Sequence, residues 1–141
     1  MNRQNQDCVI YSTGDTLVLQ LDYLAPSRIE APIFGMAIHR HDGAHISGPN
    51  TSFAGLSIPS VEGTGTVTLT IPALSLLEGL YYISVASTDQ HDTEIFDYHD
   101  RCYPFRVVNQ DGGNREKYGL VTLQGKWEHH TTQEISPQQV L

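Results

Sequence analysis

Cysteine is scarce: Cys8 and Cys102 are the two thiols in 141 residues. Two cysteines this far apart exclude a disulfide framework and a zinc knuckle. Charge is also low. Charged residues make up 17% of the chain, and 16 acids against 8 bases leave a formal net charge of -8. An acidic domain repels phosphate backbones, so nucleic acid is not an expected partner. No apolar run approaches the roughly 18 residues of a membrane span. The opening segment, Met1 to Gln6, is polar and lacks the apolar stretch of a signal peptide. The expectation is a cytoplasmic chain with reduced thiols. A bridge between the two cysteines stays open if the domain is exported.

Catalytic motifs are missing too. The sequence has no G-x-x-x-x-G-K-[ST] phosphate loop, no G-x-G-x-x-G and no G-x-S-x-G. No cofactor is expected. No pair of carboxylates is placed by spacing across a cleft, as a glycosidase requires. The chain therefore reads as a binding protein and not an enzyme. The segment His39-Arg40-His41-Asp42-Gly43-Ala44-His45 puts three histidines within seven residues. Strand geometry lets His39 and His45 face each other across a hairpin, but His41 falls at the turn. No further ligand follows at a standard spacing, so no metal site is expected.

What is present is a period of two. Leu17, Leu19, Leu21 and Tyr23 share one face of their segment. Val67, Leu69 and Ile71 alternate with Thr66, Thr68 and Thr70, and Tyr81, Ile83 and Val85 follow the same rule. Such alternation marks strands with one buried face. Turn residues punctuate them at Thr13-Gly14-Asp15, Pro26 to Pro32, His41-Asp42-Gly43 and Gly48 to Gly65. No window shows capped helical periodicity. The reading is an all-β, immunoglobulin-like or jelly-roll antiparallel sandwich of seven to eight strands over residues 1–130, with a polar tail over 131–141.

One sheet is expected to hold Asp7–Ser12, Thr16–Tyr23 and Thr66–Ile71. The other should hold Ile33–Arg40, Ala44–Ser47, Tyr81–Thr88 and Cys102–Val108. His91 to Asp100 reads as polar and partly irregular, and Tyr118 to Trp127 as a last strand. The expected core is Leu17, Leu19, Leu21, Phe34, Met36, Ile38, Ile46, Val67, Leu69, Ile71, Tyr81, Ile83, Val85, Phe105 and Val107.

The same alternation predicts a binding face. With Phe34, Met36 and Ile38 inward, Gly35, Ala37 and His39 point outward. With Tyr81, Ile83 and Val85 inward, Tyr82, Ser84, Ala86 and Thr88 point outward. Small residues Gly35, Ala37, Ser84 and Ala86 then floor a groove, and binding sites are usually concave. Tyr82 offers a flat apolar body with a polar tip. His39, His45, Ser47, Ser84 and Thr88 offer donors and acceptors for hydroxyl groups. Arg101, near the start of the neighbouring strand, could pair with an acidic end group. The opposite sheet shows Thr66, Thr68 and Thr70, a flatter surface.

The ordered landmarks resemble a known family. They are Thr13-Gly14-Asp15 before an alternating strand, Pro32 to Ile38 leading to Asp42-Gly43, and Ser47-Gly48-Pro49-Asn50-Thr51. Next come Thr66 to Ile71 before Pro72, Leu76-Leu77-Glu78-Gly79-Leu80-Tyr81, Phe105-Arg106-Val107, Gly119-Leu120-Val121 and Trp127. This series, over roughly Val9 to Trp127, resembles the C-terminal domain of Wzt, the ATPase component of O-antigen polysaccharide ABC transporters. The family's ATPase domain is missing here, so the carbohydrate-binding portion alone is implied. The resemblance implies a β-sandwich that recognises the finished polysaccharide, often by a modified non-reducing end. It also implies an ATPase and a membrane component as partners, a cytoplasmic position at the inner membrane, and a homodimer made by exchanging the last strand. The polar segment from Asn109 to Lys117 would carry that exchange, with Trp127 packing on the partner. Two other functions compete with this one: an immunoglobulin-like protein-interaction or adhesion module, and a hydrolase.

Overall fold

Alternating large and small side chains make Ile33–Arg40 and Gly79–Thr88 ideal partners for a buried antiparallel ladder. In a computed structural model, which describes residues 8–109 and 115–132, these two segments form the centre of the larger sheet. The elements in chain order are β1 (Val9–Ser12), β2 (Leu17–Glu30), β3 (Ile33–Arg40), β4 (His45–Ser47), β5 (Ser60–Ile71), β6 (Gly79–Thr88) and β7 (Ile95–Val108). They make a five-stranded sheet of order β1-β7-β6-β3-β4 and a two-stranded sheet of β2 and β5. The described residues contain no helix. The all-β sandwich expected from the alternation is the fold observed.

The inner faces meet in a core of Leu17, Met36, Ile38, Leu74, Leu76, Tyr81, Ile83, Phe105 and Val107. Tyr11, Leu19, Ile46, Leu69, Ile71 and Val85 pack around it, partly buried. Tyr81 stacks on Phe105 with ring centroids 5.4 Å apart, and Tyr11 meets Phe105 edge-on at 5.8 Å. The buried Tyr81 hydroxyl donates to the Leu77 carbonyl at 2.6 Å, which satisfies its one polar atom. Ala25, Val61 and Leu77 are buried too, so that with Leu74 and Leu76 five buried apolar residues lie outside the expected core. The alternation rule misses them because three lie in the crossing between β5 and β6 and two lie beyond the expected strand ends.

Several boundaries differ from the sequence expectation. The first strand pairs with β7 in the larger sheet, in parallel, with Val9 opposite Phe105, and not with β2. The Thr13-Gly14-Asp15 corner is fastened to the crossing between β5 and β6: Gly14 N–H donates to Leu74 O, and Leu74 N–H to Asp15 O. The chain therefore changes sheets at a signal that also suits a hairpin. β2 does not stop at Tyr23 but runs on to Glu30. Pro26 is tolerated because the ladder with β5 is interrupted between Ala25 and Ile29, where its missing N–H is not needed. β5 starts at Ser60, inside the expected loop. It can do so because Gly65 lies opposite Tyr23, and a Cβ there would collide with the Tyr23 hydroxyl. The tyrosine ring fills the space that the glycine leaves.

β7 begins at Ile95 instead of Cys102, and its ladder with β6 is irregular between Ile83 and Val85. The expected last strand, Tyr118 to Trp127, is not a strand. A single bridge joins Val121 to Leu76. Tyr118, Leu123 and Trp127 are almost fully exposed, so their apolar side chains meet no core face. β4 is limited to His45–Ser47. Both cysteines are free thiols. Asp7, much of the segment from Asn109 to Lys117 (residues 110–114) and most of the tail (133–141) lie outside the described residues.

Removing the Phe105 ring should cost about 3–5 kcal/mol, because it leaves a cavity against Tyr81 and Tyr11. Tyr81→Phe should cost about 1–2 kcal/mol, the loss of one buried hydrogen bond. Urea unfolding followed by tyrosine fluorescence measures both. A smaller effect for Phe105→Ala than for Tyr81→Phe would contradict this packing.

Candidate functional site

The register of β3 with β6 places Gly35 opposite Ala86, Ala37 opposite Ser84, and His39 opposite Tyr82. The first two pairs leave almost no side-chain volume on the outer face of the sheet. A concavity of about 350 Å³ opens over them. That lies within the size range of small-ligand sites, roughly 300–1,000 Å³. Gly35, Ala37, Ser84, Ala86 and Thr88 line it, as do the loops on either side.

One wall is a strap. Pro49 and Thr51 pair with β3: Met36 N–H donates to Pro49 O, Thr51 N–H to Phe34 O, and Phe34 N–H to Thr51 Oγ1. Asn50 bridges to Gly35, where an added Cβ would meet the Asn50 Cβ at 3.2 Å. The Asn50 side chain accepts from Phe53 N–H at 2.7 Å and fixes a turn that leaves the Phe53 ring 83% exposed at the rim. The opposite wall is Tyr98 of β7, across from Ala86. Two aromatic rings therefore flank a floor of small residues.

The end wall is the β6–β7 loop, which contributes Gln90, His91 and Asp92. Asp89 holds it in shape. Its carboxylate accepts from the Thr93 N–H at 2.7 Å, the Thr93 hydroxyl at 2.6 Å and the Glu94 N–H at 3.1 Å. These donors, led by the Thr93 hydroxyl, lower its pKa to about 2.

Beyond the floor, the irregularity in β7 sets Asp100 and Arg101 against Ser84. Arg101 has a left-handed backbone, φ 54°, and its N–H donates to Ser84 Oγ at 2.8 Å. Asp100 Oδ1 accepts from the Tyr98 hydroxyl at 3.1 Å and from Ser84 Oγ at 3.5 Å. The Arg101 guanidinium lies 3.5 Å from the same oxygen. The hydrogen bond to Asp100 raises the Tyr98 pKa.

The sequence-predicted residues divide into two groups. Gly35, Ala37, Ser84, Ala86 and Thr88 come together around the concavity. His39, His45, Ser47, Tyr82 and Arg101 are not among its lining residues. His39 and Tyr82 continue the same face one pair further along. His45 stacks on His39 with centroids 4.8 Å apart, and Ser47 is exposed on β4. Ser84 and Thr88 are buried, not free donors as expected. The Ser84 hydroxyl is engaged with the bulge, and the Thr88 hydroxyl donates to the Asp89 carbonyl. Phe53, Tyr98 and Asp100 were not anticipated. Their segments read as loop or irregular chain, and an aromatic residue in a Gly- and Ser-rich loop was the one available signal.

The described chain is thus a β-sandwich, antiparallel except where β1 joins β7 in parallel, with an open, aromatic-flanked sheet face, an architecture suited to binding. It belongs to the Wzt C-terminal domain family, whose model matches residues 2–123. Among solved structures it is similar to the crystal structure of the C-terminal domain of Wzt, with a TM-score of 0.74 and 16% identity. That match covers 87% of this chain and 74% of the other. A sequence search of curated proteins gives no significant match.

The Asp89 geometry has a direct consequence for pH. Its folded pKa is depressed, so its stabilisation of the loop is present above the ordinary aspartate pKa and lost as pH falls toward about 2. NMR titration of its carboxyl carbon should give a midpoint of about 2. Asp89→Asn should loosen Thr93 and Glu94 at neutral pH. An ordinary aspartate midpoint would contradict the loop-clamp role.

Proposed function

We propose that this chain is a non-catalytic carbohydrate-binding module. It recognises an O-antigen polysaccharide at its modified non-reducing end and couples that recognition to export by an ABC transporter. The observation that carries the reading is the small-residue floor between Phe53 and Tyr98. A sugar ring has apolar C–H faces and a rim of hydroxyls. It fits a shallow floor flanked by aromatic rings, with donors and acceptors at the edges. Membership of the Wzt C-terminal domain family supports the transporter setting. The ATPase and the membrane component of the transporter are the partners, and the site of action is the cytoplasmic face of the inner membrane. No described helix is long and apolar enough to cross a membrane.

The glycan lies across Gly35, Ala37 and Ala86, stacks on Tyr98 and Phe53, and extends toward Tyr82, His39, His45, Ser47 and Arg101. Tyr98→Ala and Tyr82→Ala should each remove about 1–3 kcal/mol of glycan binding, the usual cost of truncating an aromatic anchor. Ala37→Leu should block the floor. Calorimetry with the O-antigen of the source strain measures this. Undiminished binding by folded Tyr98→Ala and Ala37→Leu variants would place the site elsewhere. Shortening of the glycan during incubation would instead identify a hydrolase.

The same reading includes a homodimer formed by exchange of the C-terminal segment. Three observations support it. Among the described residues β2 pairs only with β5, which leaves its other edge open there. A cleft of about 340 Å³ runs beside that edge, lined by Tyr11, Leu19 and Tyr103 among others. Tyr118, Leu123 and Trp127 present apolar side chains that their own protomer leaves exposed. Exchange buries them at little cost, because each copy supplies what the other lacks. Light scattering at tens of micromolar should report a dimer, and Trp127→Ala should weaken it without changing the fold. A monomer with the full C-terminus present would end this reading.

A further inference from the structure

We propose, resting on the glycan reading of the groove, that His99 and Tyr103 are positioning residues for it. From the inner face of the sheet they close the neck of the β7 irregularity and so set where Tyr98 and Asp100 stand on the outer face. Neither residue lines the groove itself.

β7 holds extra chain at this point. Along the ladder β6 advances two residues, from Ile83 to Val85, while β7 spends four, from Tyr103 back to His99. Asp100, Arg101 and Cys102 therefore fall where β6 has Ser84 alone. In a regular strand, residues four apart are separated by roughly 13 Å, at about 3.3 Å each. The side chains of His99 and Tyr103 nevertheless meet. His99 Nδ1 lies 2.6 Å from the Tyr103 hydroxyl, and the ring centroids are 5.9 Å apart. That contact exists only while the chain between them is kinked. The kink carries a cost, because Arg101 has a left-handed backbone, φ 54°, and such a residue persists only where its surroundings impose it.

Two sets of contacts impose it, one on each face. Outside, Ser84 Oγ accepts from Arg101 N–H at 2.8 Å, and Asp100 Oδ1 accepts from the Tyr98 hydroxyl at 3.1 Å. Inside, His99 and Tyr103 line the cleft between the sheets, where Leu19 and Phe105 are their neighbours. Asp97 Oδ2 lies 3.3 Å from His99 Nε2. A carboxylate only accepts, so Nε2 beside it carries the ring proton and Nδ1 accepts from the Tyr103 O–H. Burial raises the Tyr103 pKa and favours that donor form. The outer contacts hold the kinked segment to β6, and the inner contact ties its two ends together. Tyr98 adjoins His99 in the chain, so the aromatic wall of the groove follows the neck.

The test uses the full chain and the O-antigen polysaccharide of the source strain, released from its lipid, with affinities read by calorimetry. Tyr103→Phe should weaken binding roughly three- to ten-fold, the worth of one hydrogen bond. His99→Leu should do the same. His99→Asn should keep most of the affinity, because its amide oxygen can accept where Nδ1 did. The loss in Tyr103→Phe should vanish in a Tyr98→Ala background, because Tyr103 acts through Tyr98. In the ligand-free protein, Tyr103→Phe should also move the NMR resonances of the Tyr98 ring. Thermal midpoints and light scattering check that each variant keeps the fold and assembly of the parent. Unchanged affinity in Tyr103→Phe, with Tyr98→Ala still impaired, would overturn the positioning role and leave the groove standing. A loss in Tyr103→Phe that persists in full when Tyr98 is already alanine would overturn it as well. If Tyr98→Ala binds as the parent does, the groove reading fails and the positioning role fails with it.

Discussion

The antiparallel pairing of β3 with β6 is the constraint on which the rest depends. Its register puts Met36 opposite Val85 and Ile38 opposite Ile83 on the inside. The same register therefore puts Gly35 opposite Ala86 and Ala37 opposite Ser84 on the outside. Core and concavity are two faces of one ladder. A slip of one residue would turn the apolar set to solvent and the small residues to the core. The packing that stabilises the sandwich thus also fixes the shape of the outer face.

Polar groups then secure what the ladder sets out. Ser84 is the pivot, because its hydroxyl links the Arg101 N–H and the Asp100 carboxylate across the irregularity in β7. Asp100 in turn accepts from the Tyr98 hydroxyl. One buried serine therefore couples the aromatic wall to the Asp100–Arg101 pair. At the other end Asp89 and Asn50 each fold a loop around a carboxylate or amide oxygen. The Asp89 contacts are local to its loop, whereas the Asn50 strap is tied to β3 through Met36 N–H to Pro49 O and Thr51 N–H to Phe34 O.

The alternating segments were legible because period-two patterning reports burial directly. Phe34, Met36, Ile38, Tyr81, Ile83, Phe105 and Val107 are buried as their spacing requires. The floor residues followed from the same rule, one position out of phase. The rule is silent where the chain leaves it. The parallel docking of β1 depends on a contact with β7 almost a hundred residues away, which no local pattern encodes. Pro26 and Gly63 read as loop residues, yet an interruption in the ladder admits both between β2 and β5. Tyr98 and Asp100 were hidden because their segment is polar on both faces, with one side lining the groove wall and the other facing the open cleft. The 118–127 segment has strand composition, yet among the described residues its backbone ladder is short, with Leu77 N–H to Leu120 O and Thr122 N–H to Ser75 O, and Tyr118, Leu123 and Trp127 stay exposed.

The central claim is that the outer face of β3, β6 and β7 holds the glycan. Amide and methyl chemical-shift mapping during titration with the O-antigen oligosaccharide tests it most directly. The largest shifts should fall on Gly35, Ala37, Ala86 and Tyr98, spreading toward His39 and Arg101. Shifts concentrated instead on Thr66, Thr68 and Thr70, on the exposed face of β5, would contradict it.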